Sequence, residues 1–433
     1  MKRTLLYSLI FCASLFASHA AVAQAFSLED CRREAQKMNR QSINARLEVD
    51  MAHQMRREAF TNYFPKITAS GTVFQSQEGL VQADMGVHIP VLGDLSMPLS
   101  FVKRGYMTSI TAVQPVFAGL KIVNGNKLAR LNEEVMRLDL ERNEAEVRQK
   151  VDTYFWQIVS LKDQLKTLDA VERQLDEIER QVRLSIEAGL VTKNDLLRVE
   201  LRQQEIESAR LKLENGLHVS KLVLAQYVGR ASEGFDIEYQ GFEAVKNPST
   251  YYVSLDEALD RRAEYQMAAK NVTAHKYQKR MERGKFLPTV GVGAGYLYYN
   301  ITDKKQNQGV VFAQVSVPIS DWWGGAHALK RAALKERQAE NNRQEAEEMM
   351  LIEIQKSWSD LLEAYAQISI AERSVASSTE NLRQMRHTYA AGTTSMTDLL
   401  DAETLFTRTR HDLTASYAAY QTALAHYMRV TGR

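Results

Sequence analysis

The chain has 433 residues, of which 25% are charged and 45% hydrophobic, and its formal net charge is +2. That composition fits folded structure rather than disorder, and so small a charge gives no bulk pull towards nucleic acid. Beyond the N-terminus nothing approaches 18 consecutive apolar residues, so no helix is expected to span a membrane.

The first element, residues 1–23, reads as a secretory signal peptide. Met1-Lys2-Arg3 is a basic start, Leu5 to Phe16 an apolar run, and Ala21-Val22-Ala23 a small-x-small cleavage site. Cleavage removes Lys2 and Arg3 and no acid, so the formal charge falls to zero. It also removes Cys12 and leaves Cys31 alone, which excludes an internal disulfide. Cys31 follows "SLED" rather than a small-residue lipidation site, and is expected as a packed, inert thiol on the first helix.

Residues 24–230 read as helix, strand pair, long helix, turn and returning helix. The strand pair falls in 66–116, with "KITASGTVFQ" from Lys66 and "MTSITAVQPV" from Met107. Ile67, Ala69, Gly71 and Val73 alternate with Thr68, Ser70 and Thr72, the period of a strand. About ten residues is the length of a membrane-spanning strand, although a soluble hairpin packed on the helices has the same pattern. No proline stands between Pro115 and Pro248, and one inside a helix would cost about 3 kcal/mol. Val147, Val151, Phe155, Ile158, Leu161, Leu165, Leu168, Val171, Leu175, Ile178, Val182 and Ile186 advance by threes and fours. That is a coiled-coil seam. A helix from Gly119 to Ala188 would extend roughly 100 Å.

Residues 231–253 are a polar, glycine-bearing linker, and 254–433 repeat the order. "AGLVTKNDLLRVE" from Ala188 returns as "AGTTSMTDLLDAE" from Ala391, identical at six of thirteen positions. Pro115 and Pro318, Lys127 and Lys330, Leu131 and Leu334, and Gly229-Arg230 and Gly432-Arg433 keep the same 203-residue offset. "SLEDCRREA" from Ser27 likewise resembles "SLDEALDRRA" from Ser254. The chain is therefore a tandem duplication. The second strand pair falls in 289–318, "TVGVGAGYLY" and "GVVFAQVSVP", with Tyr296, Tyr298, Tyr299, Trp322 and Trp323 near its ends. Aromatic girdles suit a membrane interface; Trp322 equally fits a helix-start core residue. Four strands cannot close a barrel in lipid, so several chains would have to share one.

The two turns, near 188–195 and 391–398, have a physical reading. Gly189 and Gly392 stand where a helix must stop and accept the left-handed conformation. Thr192 to Asp195 and Ser395 to Asp398 then spell a capping-box variant, hydroxyl covering an amide and acid reaching back. Asp195 and Asp398 are thus first-turn acids favoured by the helix dipole. Asp401 is different: it lies on the same side of its helix as Asp398, and its counterpart is Arg198. Leu190 and Val191 are apolar on an exposed tip, which suggests a partner.

This architecture resembles the TolC-like outer membrane efflux proteins, the outer membrane factors, over essentially the whole mature chain. The resemblance implies a mainly α chain with tandem long hairpins in a homotrimeric α-barrel tunnel, and four strands per chain in a shared twelve-stranded barrel. It implies residence in the outer membrane of a Gram-negative bacterium with a large periplasmic portion, and a mixed belt to which 231–253 contribute. Such proteins are passive exit ducts of tripartite efflux or type I secretion, docked to a periplasmic adaptor and an inner membrane pump. Carried over by position, Asp398 and Asp401 match aspartates ringing the periplasmic constriction. Tyr389 and Asp195 match residues in the contacts that hold it shut, and Thr394 stands where the family's best-known member has an arginine. Leu190 and Val191 are candidates for the adaptor contact.

No catalytic or cofactor motif competes. H-E-x-x-H, G-x4-G-K-[ST], G-x-S-x-G and CxxC are all missing, so neither enzyme activity nor a cofactor is expected. His218, His387 and His426 are expected at surfaces or seams, and Met51, Met55, Met349 and Met350 in the core rather than on a metal. The rival reading is a periplasmic coiled-coil scaffold or adaptor without a barrel.

Overall fold

The computed structural model describes residues 25–77, 81–89, 93–101, 104–238, 241–242, 245–300 and 305–433. The signal-peptide assignment on 1–23 lies outside the described residues. The chain forms two compact units. One takes the chain up to Glu48 with Arg137–Met267 and Glu345–Arg433; the other takes Val49–Met136 and Ala268–Gln344.

In chain order the elements are β1 (Ala25–Phe26), α1 (Leu28–Met38), α2 (Arg40–Thr61), β2 (Lys66–Gln75), β3 (Val81–Ile89), β4 (Gly93–Phe101), β5 (Arg104–Ala118), α3 (Lys121–Glu187) and α4 (Lys193–Val228). There follow β6 (Asp236–Ile237), a single 3-10 turn (Pro248–Tyr251), α5 (Leu255–Arg261), α6 (Ala263–Gly284), β7 (Thr289–Asn300), β8 (Lys305–Ser316), α7 (Trp322–Ala390) and α8 (Met396–Val430). The duplication is visible in the caps: Ser27 accepts from the Asp30 amide, and Ser254 accepts from the Glu257 amide.

The first unit is helical and holds the expected seam. Val147, Val151, Phe155, Ile158, Leu168, Val171, Leu175, Ile178 and Val182 are buried, while Leu161, Leu165 and Ile186 are half-buried. Val147 to Val159 pack with Cys31 and Ala35 of α1, Leu224 and Val228 of α4, and Phe235 and Ile237 from the linker. The linker is thus partly core rather than only polar connection. Its β6 pairs in parallel with β1, and Phe242 stacks between Trp156 and Tyr417 at centroid distances of 5.8 and 5.1 Å. Asp152, almost fully buried, receives both Nε and a terminal nitrogen of Arg32 at 2.6 Å, so its charge is matched in the fork geometry.

The second unit carries a four-stranded antiparallel sheet in the order β2-β5-β7-β8. Lys66 faces Val113, Tyr106 faces Asn300, and Thr289 faces Ser316. β5 is longer than the sequence pattern indicates and runs past Pro115, whose missing N–H is accommodated at a bulge between Pro115 and Phe117. β2 and β8 are the edges, each with one unpaired side and nearly every residue exposed. The end of β5 is fixed by a backbone contact: a Cβ on Gly119, which has φ +61°, would meet the Gly284 carbonyl oxygen at 2.1 Å. The long insert 78–105, unassigned by the sequence, includes an antiparallel pair, β3 and β4, with Val81 opposite Phe101 and Ile89 opposite Gly93.

The methionines correct the sequence reading. Met51 and Met55 are both 57% exposed and Met349 is 60% exposed; only Met350 packs against a core cluster. Trp322 is half exposed, donates its indole N–H to the Phe286 carbonyl at 2.9 Å, and is not core. Cys31 is buried, and burial first, then the Asp30 charge, push its thiol up to about 12. A raised folded pKa keeps the thiol neutral, and stability falls as pH climbs from the unfolded value, about 8.5, towards the folded one. We expect a maleimide at pH 8 to leave Cys31 unlabelled in the folded protein and to label it fully in denaturant. Rapid labelling of the folded protein would contradict this burial.

Candidate functional site

The two turns of the first unit are built alike. α3 ends with the Gly189 amide donating to Ile186 O (2.9 Å) and the Leu190 amide to Ser185 O (2.9 Å). α7 ends with Gly392 donating to Tyr389 O (2.9 Å) and Thr393 to Thr388 O (3.0 Å). Both are Schellman motifs, with φ +71° at Gly189 and +73° at Gly392. A Cβ at either glycine would meet nothing within 4 Å, so conformation, not crowding, demands glycine there.

The restarts differ. At the second turn the Asp398 amide donates to Ser395 Oγ (3.2 Å), while Asp398 Oδ2 accepts from the Ser395 amide (3.3 Å) and hydroxyl (2.6 Å). At the first, Asp195 Oδ2 accepts from the Thr192 amide (3.1 Å) and hydroxyl (3.0 Å), but the Asp195 amide goes to the Thr192 carbonyl. The capping box of the sequence pattern is formed here too, with the Asp195 amide shared between the Thr192 carbonyl and hydroxyl. Only the leading leucine of each pair is buried, Leu196 and Leu399; Leu197 is exposed and Leu400 half-buried.

Behind the turns one apolar cluster is shared by all four helices. It contains Val182, Leu196, Val199, Leu382, Met396, Leu399 and Ala402, with Ile186, Val191 and Tyr389 packed against it. The structure thus brings the two tips side by side. Val191 turns inward and is half-buried, which leaves Leu190, 77% exposed, as the apolar side chain presented at the first tip. Burial raises the pKa of the Tyr389 phenol, and the charge of Asp195 adds to that rise, so these two residues from different hairpins are neighbours. Thr394 Oγ1 donates to Thr388 Oγ1 at 2.7 Å and Thr393 Oγ1 to Thr388 O at 3.0 Å, closing the second tip on itself. Asp398 and Asp401 are exposed. Asp398 is occupied by its cap; Asp401 has no hydrogen-bond or ion-pair partner among the described residues.

One cluster here was not singled out in the sequence. Glu403 is completely buried, accepting from Arg202 Nε at 2.9 Å and from Thr407 Oγ1 at 2.6 Å. Arg386 faces the same group: burial lowers its pKa, the Glu403 charge opposes that, and it donates to Gln174. The repeat hides Glu403, because its counterpart Glu200 is half-buried and pairs with Arg183 of its own hairpin at 3.1 Å. Among the described residues no group of three or more His, Cys, Asp or Glu side chains is placed to hold a metal ion, and no helix is long and apolar enough to cross a membrane.

The difference between the two caps has a measurable consequence. Ser395→Ala removes an acceptor from a first-turn amide and is expected to cost about 1 kcal/mol. Thr192→Ala, where the Thr192 carbonyl already takes the Asp195 amide, should cost less. Thermal melts of the two single variants compare them, and equal losses would mean that the caps are equivalent in solution.

Comparison with known proteins covers most of the chain. It is 24% identical over 262 residues to the proteases secretion protein PrtF of Dickeya chrysanthemi, a match covering 58% of this chain and 56% of that relative's length. Among solved structures it is similar to CusC, with TM-score 0.79 and 18% identity over 94% of this chain and 92% of that one. It is also similar to the CmeC outer membrane channel of Campylobacter jejuni, with TM-score 0.78 and 15% identity over 94% and 85%. At these identities the structural likeness is one of fold. The sequence profile described as outer membrane efflux protein matches residues 32–230 and 254–433, both halves of the duplication, and the chain belongs to that family.

Proposed function

We propose that this chain is the outer membrane exit duct of a tripartite efflux or type I secretion system, working as a homotrimer with a periplasmic adaptor and an inner membrane pump. The observation that carries the reading is the sheet β2-β5-β7-β8, whose two outer strands have unpaired edges. Backbone groups left open in hydrocarbon cost several kcal/mol each, so such a sheet enters a membrane only as part of a closed barrel. A β8 edge meeting the β2 edge of a second copy closes it, and three copies supply twelve strands. Exposed apolar groups at the base of the sheet fit the same self-association. Phe60 packs edge-on against Phe64 and tilted against Tyr63, both at centroid spacings of 5.6 Å, and the three line a groove of about 940 Å³.

In this reading the paired hairpin tips form the periplasmic entrance. Asp401 projects a charge that no cap or ion pair consumes, and threefold symmetry would gather three of them beside three Asp398 carboxylates. Like charges so placed favour cation binding. Thr394 makes its hydrogen bond within its own tip, so the closing contacts rest on Tyr389, Asp195 and the aspartate ring rather than on an arginine. Leu190 is the apolar group offered to the adaptor.

Fractionation tests the duct directly: a detergent-extracted oligomer in the outer membrane is expected, and a soluble periplasmic monomer would select the scaffold reading instead. In planar bilayers, Asp398→Ala with Asp401→Ala should raise conductance and abolish block by divalent or trivalent cations. Unchanged conductance and block would remove the entrance assignment. Leu190→Ser should weaken cross-linking to the adaptor in cells, and full cross-linking would move that contact elsewhere.

A further inference from the structure

We infer that the Arg202–Glu403 pair is a register lock through which the first hairpin (α3–α4) sets the resting position of the second (α7–α8). Glu403 is fully buried and the Arg202 side chain is 14% exposed, its other guanidinium arm reaching Glu205 of its own helix at 2.9 Å. Buried apolar residues flank the pair within a turn, Val199 and Ile206 on α4 and Leu399 and Ala402 on α8. With Gln174 of α3, Arg386 of α7 and Thr407 of α8, they make a polar layer to which all four helices contribute. Apolar side chains at this level would allow the helices to slide by a turn at little cost. A buried charge permits only the register in which it is paired, and registration is the best-attested use of such groups.

The duplication shows that this contact is specific rather than inherited. Glu200 and Glu403 are equivalent positions, yet Glu200 stays within its own hairpin, with Arg183. The position equivalent to Arg202 is Leu405, 45% exposed, so the reverse contact cannot form. The tie therefore runs one way, from the first hairpin into the core of the second. It lies just behind Asp398 and Asp401, on the same helix. Loss of the pair frees the second hairpin, and only the second, to shift against the first. Arg202 and Glu403 are positioning residues; neither reaches the tip.

The inference rests on the duct reading only for its channel measurement, so the test has two arms. In the detergent-solubilised full-length oligomer, hydrogen exchange is followed across 382–407 and across 168–200. Single-channel currents are recorded in planar bilayers. Glu403→Gln and Arg202→Met should each speed exchange in 382–407 while leaving 168–200 unchanged. Each should also raise the open fraction at least about tenfold, the shift expected if a third of a buried pair's value is lost. The exchanged pair Arg202→Glu with Glu403→Arg should restore both readings, which a merely structural role of either side chain would not do. If Arg202→Met fails to assemble, Arg202→Lys keeps the charge without the fork and should show an intermediate effect. Unchanged exchange in the single variants, or equal acceleration in both hairpins, overturns the lock. A chain that forms no channel at all defeats the duct reading and leaves the exchange arm to decide the lock.

Discussion

The apolar seam from Val147 to Val182 is the contact on which the helical unit depends, because a helix of 67 residues has no other means of being held. A seam with a spacing near 3.5 buries a narrow stripe and leaves the rest of the helix open to water or to neighbours. Most of the polar structure is arranged around that stripe. Arg32 reaches Asp152 across it at the α1 end, and Arg202 reaches Glu403 beside it at the turn end. Between the two, ion pairs such as Arg210 with Glu172, at 2.6 Å and partly exposed, cover its flanks and contribute little alone.

A seam that long needs firm ends, and the duplication supplies the same solution repeatedly. Gly189, Gly229, Gly392 and Gly432 all take positive φ with the same following amide, on Leu190, Arg230, Thr393 and Arg433, returning to the carbonyl five residues back. Stopping and restarting a helix consumes glycine, a hydroxyl and one acid. The surplus therefore marks what each copy has added: Leu190 at one tip and Asp401 at the other. Backbone geometry is shared between the copies, and chemistry is not.

How much of this was legible in the sequence follows from what each signal encodes. Periodicity reports which face of a helix is apolar, so the seam, the strands and the turns could be placed from it. It does not say what covers that face. Met51, Met55 and Met349 carry a core-like pattern and are nevertheless exposed in a single chain, as residues awaiting a second copy would be. The β3–β4 pair gave no signal that the sequence reading used, and Pro98 is tolerated in it because a two-stranded ladder always has a free side. Val191 is placed at the tip with Leu190 by the sequence, but it packs against the shared cluster while Leu190 stays exposed. Glu403 was invisible for another reason. A repeat suggests equal roles for equal residues, and burial, which the sequence does not carry, made them unequal.

The same limit applies to the proposed oligomer, and there the unsatisfied groups themselves are informative. A chain that buried all it needed to bury would show neither an open β2 edge nor an open β8 edge, nor Trp323 at 84% exposure beside one of them. β2 runs away from α2, and β8 runs towards α7. If β8 of one copy paired antiparallel with β2 of the next, the Ser316 end would lie by the Lys66 end. That juxtaposition would bring Trp322 and Trp323, which follow β8, towards Phe60, Tyr63 and Phe64, which precede β2. The edges and the exposed aromatics are then two parts of one interface, and satisfying the backbone of the sheet buries the side chains that a lone chain leaves in water.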